Sequence, residues 1–151
     1  MKLVIQRVNR ASVSVAGECV GHCEKGLMML LGVGEGDSKE DAELLARKAV
    51  NLRIFTDDAD KMNLSVKDVA GEALIVSNFT LLANYKKGNR PDYMSAAKPD
   101  EARALYEYFV SLVSAELIHV GTGEFGAHMN IDICADGPVT IVMESEMLRK
   151  R

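Results

Sequence analysis

The sequence has few cysteines, no long apolar run and no excess of basic residues. Its three cysteines, Cys19, Cys23 and Cys134, are an odd number in a 151-residue chain. A chain of this size can bury a core without cross-links, so reduced thiols are favoured over a disulfide framework. No apolar run approaches the 18 or so residues of a membrane span, and the amino-terminal run is too short for a signal peptide. We therefore expect a soluble, cytoplasmic protein with no membrane partner.

The net charge excludes proteins that hold nucleic acid by bulk electrostatics. The formal charge is −4 and the pI is about 5.4, whereas non-specific binding needs many Lys and Arg contacts to phosphate. No DNA partner is expected. Two local basic clusters remain: Lys86, Lys87 and Arg90 in a polar segment, and Arg149 to Arg151 at the end of the chain. The terminal cluster is interpreted as solvated surface.

Two motifs resemble ligand sites but lack essential parts. Cys19 and Cys23 flank His22, yet no second Cys/His pair completes a tetrahedral zinc site. Gly32-x-Gly34-x-Gly36 matches neither the dinucleotide fingerprint nor the Walker pattern. We predict no metal site and interpret the glycines as a flexible connection.

Apolar periodicity predicts four strands in the first quarter of the chain, then two helices with a fifth strand between them. The strands are predicted at Leu3 to Val8, Ala11 to Val15, Cys19 to Cys23, Gly26 to Val33 and Glu72 to Phe79. Ser38-x-x-Asp41 predicts the start of a helix over Lys39 to Asn51. Pro99 predicts the start of a second helix, whose core stripe would contain Ala102, Leu105, Phe109 and Leu112. Between the two, Asn84 to Ala97 is a polar connection of a length that is typical of functional loops.

These elements predict one α/β domain over residues 1–151. We expect mixed, mostly antiparallel sheets or a barrel-like core, with two main helices packed on one side in a three-layer α/β/β arrangement. No repeat, low-complexity tract or linker divides the chain.

A Gly-Pro step lies between two further apolar runs. Gly137-Pro138 separates Asn130 to Cys134 from Val139 to Met143. Proline donates no backbone hydrogen bond and is largely excluded from central strands. The step is therefore either a tight turn or a specially shaped piece of backbone.

Several motifs together resemble the D-aminoacyl-tRNA deacylase family of bacteria and eukaryotes, over essentially the whole chain. They are Gln6-Arg7-Val8, the segments KAVNLRIF (48–55) and KMNL (61–64), Ser77-Asn78-Phe79-Thr80-Leu81, Lys87-Gly88-Asn89-Arg90-Pro91, the segment GTGEFGAHM (121–129), and the Gly-Pro step. The resemblance implies hydrolysis of the ester that links a D-amino acid, or glycine, to the terminal adenosine of tRNA. It further implies a homodimer without cofactor, in which the acceptor end of D-aminoacyl-tRNA is the partner.

The resemblance also implies roles for individual residues. Gly137 and Pro138 would form a cis peptide that enters the other subunit's active site and excludes L-side chains, and Arg7 would hold its carbonyls. The catalytic segment would be Ser77, Asn78, Phe79 and Thr80, whose backbone N–H groups favour the developing oxyanion, with the ribose 2′-hydroxyl participating. Phe125 and Met129 match positions near the adenosine or substrate pocket. Lys86, Lys87 and Arg90 would bind tRNA phosphates.

Alternatives remain for several of these residues. Thr80 could be a nucleophile, but His22, His119 and His128 lie in no recognisable triad motif. Core packing is the alternative for Phe125 and Met129, and a solvated loop for the basic cluster. Two positions depart from the family pattern: Asn78, where the family usually has Gln, and Ala135, where it usually has Asn. The alternative function is a repurposed or non-catalytic RNA-binding relative with altered acyl specificity.

Overall fold

The computed structural model describes residues 1–150; Arg151, the last residue of the basic tail, lies outside the described residues. The two α-helices are α1 (Lys39–Asn51) and α2 (Pro99–Ser114). The strands, in chain order, are β1 (Lys2–Val15), β2 (Glu18–Cys23), β3 (Gly26–Gly32), β4 (Phe55–Thr56), β5 (Met62–Leu64), β6 (Glu72–Ser77), β7 (Val120–Thr122) and β8 (Asn130–Glu144). Short 3-10 helices cover Phe79–Leu82 and Ser145–Leu148.

The main sheet is built around β1. The strand order is β2-β1-β3-β6-β7, with β8 also paired to β1. The pairs that β1 makes are antiparallel, and those from β3 to β6 and from β6 to β7 are parallel. β2 passes close to β7 at Gly21. A Cβ at this position would lie only 2.2 Å from the Thr122 carbonyl oxygen. The sheet thus curls toward a barrel, and β4 and β5 form a separate two-stranded sheet.

Two apolar clusters separate three layers. The larger cluster lies between the helices and one face of the sheet and contains Leu31, Leu45 and Phe109. The smaller lies inside the curled sheet and contains Val8, Met28 and Leu74. This α/β/β arrangement confirms the fold class expected from the sequence. No helix within residues 1–150 has the length and apolar character needed to cross a bilayer.

The first helix begins and ends where the sequence predicted. Its Ser38-x-x-Asp41 signal acts through the Asp41 carboxylate, which accepts from the Ser38 N–H at 2.8 Å. The second helix begins at Pro99 as predicted, and all four residues of its predicted core stripe belong to the larger apolar cluster or pack against it. Tyr106 and Val113 are buried with Ala102 and Phe109, whereas Leu105 and Leu112 are half-buried.

Three strand predictions needed correction. The two strands predicted at Leu3 to Val8 and Ala11 to Val15 are one strand, β1, because the pairing with β8 absorbs the polar Asn9-Arg10 step as a register shift. The strand predicted from Glu72 to Phe79 ends at Ser77, because Asn78 caps a 3-10 helix that begins at Phe79. β4, β5 and β7 were not predicted; each has three residues or fewer, too few to show alternation.

The Gly-Pro step is not a turn. The runs on both sides of it belong to β8 and pair with the same strand, β1. Ala135 pairs with Val8 and Thr140 with Gln6, so β8 advances five residues while β1 advances two. The extra residues form an unpaired bulge around Gly137-Pro138, and that peptide is cis. Of the two interpretations left open by the sequence, specially shaped backbone is therefore correct.

Candidate active site

A cavity of about 710 Å³ opens where β3 and β6 end. Its lining includes six residues singled out from the sequence: Ser77, Asn78, Phe79, Thr80, Phe125 and Met129. The remaining wall comes mainly from apolar residues of the sheet, of the long connection and of the first turn of α2, including Leu30, Val33, Ala97, Pro99 and Ala102. A mostly apolar cavity with a few polar groups at one side is typical of a small-molecule or substrate site.

The segment after β6 leaves one backbone donor free at the cavity. The Asn78 N–H donates to the Leu31 carbonyl at 2.8 Å, and the Thr80 N–H donates to the Asn78 side-chain oxygen at 3.1 Å. Phe79 is the first residue of the 3-10 helix, where an N–H has no partner within the helix. Among the hydrogen bonds of residues 1–150 this N–H has no acceptor. It is available to bind a carbonyl oxygen of a ligand.

The Thr80 hydroxyl has a structural partner rather than a base. It donates to the same side-chain oxygen of Asn78 that receives the Thr80 N–H. His128 lines the cavity as well, but in the described part of the chain no hydrogen bond joins it to Thr80. A nucleophilic hydroxyl needs a neighbouring base to accept its proton. The geometry therefore favours an orienting role for Thr80 over attack.

A tight turn presents Phe125 to the cavity. The Ala127 N–H donates to the Glu124 carbonyl at 3.2 Å, and Gly126 has a φ of +80°. A positive φ at the third position of a turn requires glycine or a similarly permissive residue. Beside this turn, Gly123 lets the Met129 sulfur approach closely, since a Cβ there would lie 2.6 Å from it. These two glycines explain why the segment GTGEFGAHM forms part of the wall.

The long connection contributes a residue that the sequence did not single out. Tyr93 lines the cavity, and its ring meets that of Phe79 edge-on, with centroids 5.1 Å apart. The sequence feature that could have identified Tyr93 is an aromatic side chain within a long polar connection. Lys86, Lys87 and Arg90 are exposed and do not line the cavity. The loop that holds them is closed by paired backbone hydrogen bonds between Asn84 and Asp92, next to Tyr93.

The Gly-Pro step lies away from the cavity of its own chain. It is exposed, and neither residue is among those that line the cavity. The step is next to Arg7, which pairs with Leu27 at the start of β3, whereas the cavity lies beside Leu31 at the end of that strand. Four residues of strand correspond to roughly 13 Å.

Arg7 fixes the backbone at the start of the step. Its Nε donates to the Asp136 carbonyl at 3.1 Å and lies 3.1 Å from the Asp136 carboxylate, and its Nη1 donates to the Ile54 carbonyl at 2.8 Å. The resemblance implied a hold on the carbonyls of Gly137 and Pro138 themselves. In the hydrogen bonds of residues 1–150, the contact is made one residue earlier, at Asp136.

The cysteine and histidine residues do not assemble into a metal site. A register shift between Val13 and Ser14 lies opposite the middle of β2, so Cys19 is exposed while Cys23 is buried. Burial raises the pKa of the Cys23 thiol to about 11, so it stays protonated near neutral pH. Within residues 1–150, no group of three or more His, Cys, Asp or Glu side chains is placed to hold a metal ion.

Comparison with known proteins decides the family. The model of the family described as D-Tyr-tRNA(Tyr) deacylase matches residues 4–144. The chain belongs to this family. A D-aminoacyl-tRNA deacylase of Dehalococcoides mccartyi (strain CBDB1) is 55% identical over 145 residues, covering 96% of this chain and 95% of that protein. One from Thermosipho africanus (strain TCF52B) is 53% identical over 146 residues, covering 97% and 98%.

Solved structures of similar proteins have the same fold. One described as c-Myc DNA Unwinding Element Binding Protein superposes with a TM-score of 0.90 at 40% identity, covering 95% of this chain and 98% of that one. Another, titled as the structural analysis of a probable eukaryotic D-amino acid tRNA deacylase, superposes with a TM-score of 0.79 over the same shares of the chains. Its identity is 17%, so it supports the fold alone.

The two departures from the family pattern have different structural settings. Asn78 is half-buried, and its amide caps the 3-10 helix through Thr80. Ala135 is exposed at the last paired position of β8 before the step. The backbone pairing of Ala135 with Val8 is independent of its side chain, so this departure leaves the entry to the step intact.

Proposed function

We propose that this protein hydrolyses the ester bond of D-aminoacyl-tRNA, with the acylated adenosine bound in the cavity beside Ser77 to Thr80. The observation that carries the proposal is the free Phe79 N–H at the edge of a largely apolar cavity of about 710 Å³. Family membership and relatives named D-aminoacyl-tRNA deacylase at 50–55% identity support the substrate class.

The chemistry needs a donor for the oxyanion and a fixed position for the ester. The Phe79 N–H would face the ester carbonyl and stabilise the charge that develops on its oxygen. The Asn78 amide keeps this donor in place, because it caps the first turn of the 3-10 helix through Thr80. Within residues 1–150 no side-chain base is hydrogen-bonded to the Thr80 hydroxyl, so the neighbouring ribose 2′-hydroxyl of the RNA is the proposed participant in the reaction.

Selection against L-amino acids is assigned to Gly137-Pro138 of a second copy of the chain. Enantiomers share every group, so strong discrimination requires a clash on the wrong side rather than a better attraction. Backbone from the bulge would supply that clash without depending on a side chain. The roughly 13 Å between the start of β3 and the cavity end favours insertion in trans over insertion into the same chain. Glycine has no side chain to reject, so glycyl-tRNA is proposed as a further substrate.

The basic loop is proposed to bind phosphates of the tRNA acceptor end. Lys86, Lys87 and Arg90 are exposed in the loop closed by Asn84 and Asp92, and Tyr93 of the cavity wall follows this loop in the chain. Phosphate contacts position a nucleic acid without selecting its sequence. The loop should therefore affect KM for tRNA, but not for an aminoacyl-adenosine that lacks the remaining RNA.

The test compares release of amino acid from D-Tyr-tRNA, L-Tyr-tRNA and Gly-tRNA. We expect release from the first and third and very little from the second. Phe79→Pro removes the N–H while fitting the first position of a helix, and Phe79→Leu keeps it. Removing an oxyanion donor typically lowers kcat by 10²–10³, so Phe79→Pro should be far slower than Phe79→Leu.

Each negative result has a distinct meaning. No release of any amino acid at high enzyme concentration would contradict the enzymatic function and favour the non-catalytic RNA-binding alternative. Equal release of D- and L-tyrosine would contradict the chiral mechanism. Pro138→Ala should raise release from L-Tyr-tRNA, whereas Pro91→Ala, an exposed proline away from the step, should leave the D/L ratio unchanged.

A further inference from the structure

Phe125 forms a partition between two cavities. It lines the 710 Å³ cavity of the candidate site and also a second cavity of about 330 Å³, which lies against α2. Arg103 lines the second cavity but not the first. The position of one aromatic ring therefore sets the boundary of the proposed substrate cavity on this side.

One contact to the ring comes from a residue that cannot readily move. Tyr106 is buried, and its hydroxyl donates to the Ile75 carbonyl at 2.8 Å. Its ring centroid lies 5.9 Å from that of Phe125, with an interplanar angle of 44°. The Gly123 N–H donates to the same Ile75 carbonyl at 3.3 Å, which ties the Phe125 turn to the end of β6.

The other contact comes from a cation on the first turns of α2. The guanidinium carbon of Arg103 lies 5.1 Å from the centre of the Phe125 ring, within the range of a cation–π contact. Arg103 is exposed, and the ion pairs of residues 1–150 do not include it. Glu107 and Glu124 line the same cavity without pairing with it. Within residues 1–150, the guanidinium of Arg103 thus contacts the Phe125 ring rather than a carboxylate.

We propose that Arg103 is a positioning residue, which holds the Phe125 ring as the partition and thereby sets the fit of the acyl-adenosine in the cavity. The identity of the substrate in this inference rests on the proposed function. The contact between Arg103 and Phe125 is independent of that function. Arg103 lines only the second cavity, whereas Ser77 to Thr80, with the free N–H of Phe79, line the first. Its effect should therefore appear in substrate binding rather than in the chemical step.

The test uses one series of variants and two measurements. Arg103→Met keeps the length of the side chain and removes the charge, and Arg103→Lys keeps a cation. Arg47→Met is the matched control, since Arg47 is an exposed helical arginine that forms no ion pair within the described residues. An exposed cation–π contact corresponds to about a two- to fivefold change in an equilibrium constant. Arg103→Met should raise KM for D-Tyr-tRNA by about that factor with kcat nearly unchanged, and Arg103→Lys should restore part of the loss.

A fluorine signal reports the ring without any activity. The chain has four phenylalanines, Phe55, Phe79, Phe109 and Phe125. Protein labelled with 4-fluorophenylalanine should give four resonances, of which Phe125→Leu identifies one. Arg103→Met should shift or broaden that resonance, while Arg47→Met should not.

The outcomes separate this inference from the proposed function. If the Phe125 resonance and KM are both unchanged in Arg103→Met, the inference is overturned. Equal losses in Arg103→Met and Arg103→Lys would also overturn it, because a cation on the ring would not be the cause. If the parent releases no amino acid, binding of a non-hydrolysable D-tyrosyl adenosine amide replaces KM, and the fluorine signal still tests the contact.

Discussion

At the scale of single residues, Asn78 connects two parts of the candidate site. Its side-chain oxygen accepts from the N–H and the hydroxyl of Thr80, and its own N–H donates to Leu31 in β3. The residue therefore joins the end of the sheet to the first turn of the 3-10 helix. Since the free N–H of Phe79 lies between these two anchor points, its direction depends on both.

Asn78→Ala should weaken this arrangement without unfolding the protein. Loss of a side-chain cap typically costs about 1 kcal/mol, and a donor that is less well fixed should lower kcat/KM by roughly tenfold. Asn78→Gln keeps an amide and should lose less. Steady-state kinetics and thermal melting of the same samples measure both effects.

Asn84 supplies the control for that substitution. Its side-chain oxygen accepts from the Lys86 N–H at 3.2 Å, so Asn84→Ala removes a similar local cap outside the cavity. It should leave hydrolysis of aminoacyl-adenosine unchanged. Unchanged kcat/KM in Asn78→Ala would show that the amide is not needed to orient the donor.

At the scale of elements, the start of α1 depends on one buried carboxylate. Asp41 accepts from the Ser38 N–H and from the Arg149 guanidinium, at 2.8 Å and 2.6 Å. Burial alone would raise the pKa of Asp41, but the hydrogen bonds from Ser38, Arg149 and Ser145 outweigh it and lower the pKa to about 2. The helix start is thereby linked to the end of the chain.

This lowered pKa predicts a specific loss of stability in acid. The unfolded carboxyl titrates near 3.8, so the stabilisation is complete above that pH and is lost as the pH falls toward 2. Asp41→Asn should lower the free energy of unfolding by roughly 2 kcal/mol at pH 7, and the difference from the parent should shrink below about pH 4. Urea unfolding at several pH values measures it.

Glu40 provides the comparison, because it is an exposed acid in the same helical turn. Glu40→Gln should leave the pH dependence close to that of the parent. A difference between parent and Asp41→Asn that stays constant down to pH 2 would contradict the assignment of the effect to this carboxyl.

The sequence predicted elements where local signals were strong. The Ser38 and Pro99 signals marked both helix starts correctly. It failed where pairing partners decide the outcome: Asn9-Arg10 is polar, yet it stays within β1 because β8 pairs with both sides of it. The boundary of β6 was missed because the Asn78 cap, not an apolar pattern, starts the next helix.

The candidate site was predicted in the same uneven way. The family motifs pointed to Ser77 to Thr80, Phe125 and Met129, and these residues line one cavity in the structure. Tyr93 and Arg103 were not singled out, because their importance comes from the rings that they contact, Phe79 and Phe125. Contacts between distant parts of the chain have no local sequence pattern.

At the scale of the whole molecule, the cavity lies at the end of β3, whereas the Gly-Pro step lies across β1 from the start of β3. Two copies related by a two-fold axis could each place a step in the other's cavity, since such an interface uses the same surface twice. A complete site would then contain residues from both chains.

Mixed dimers test this arrangement directly. One chain would carry Phe79→Pro, which removes the donor, and the other Pro138→Ala, which alters the step. In a heterodimer purified with two tags, the intact cavity faces the intact step of its partner. We expect release from L-Tyr-tRNA per intact cavity to fall well below that of the Pro138→Ala homodimer.

Insertion within one chain would give a different result, because the intact cavity would still face its own altered step. Release from L-Tyr-tRNA per intact cavity would then equal that of the Pro138→Ala homodimer. Sedimentation of the parent as a monomer at assay concentrations would contradict the proposed dimer independently.

If the bulge in β8 faces the substrate in the proposed dimer, it does so as backbone that is already ordered. Backbone on both sides of the step is paired with β1, and Arg7 holds Asp136. The conformational entropy of this segment is therefore lost when the chain folds, not when a ligand arrives. A flexible loop would have to be ordered at each binding event and would lower affinity by that amount. In the proposed dimer, the sheet would thus present to the substrate a surface that is ordered before binding.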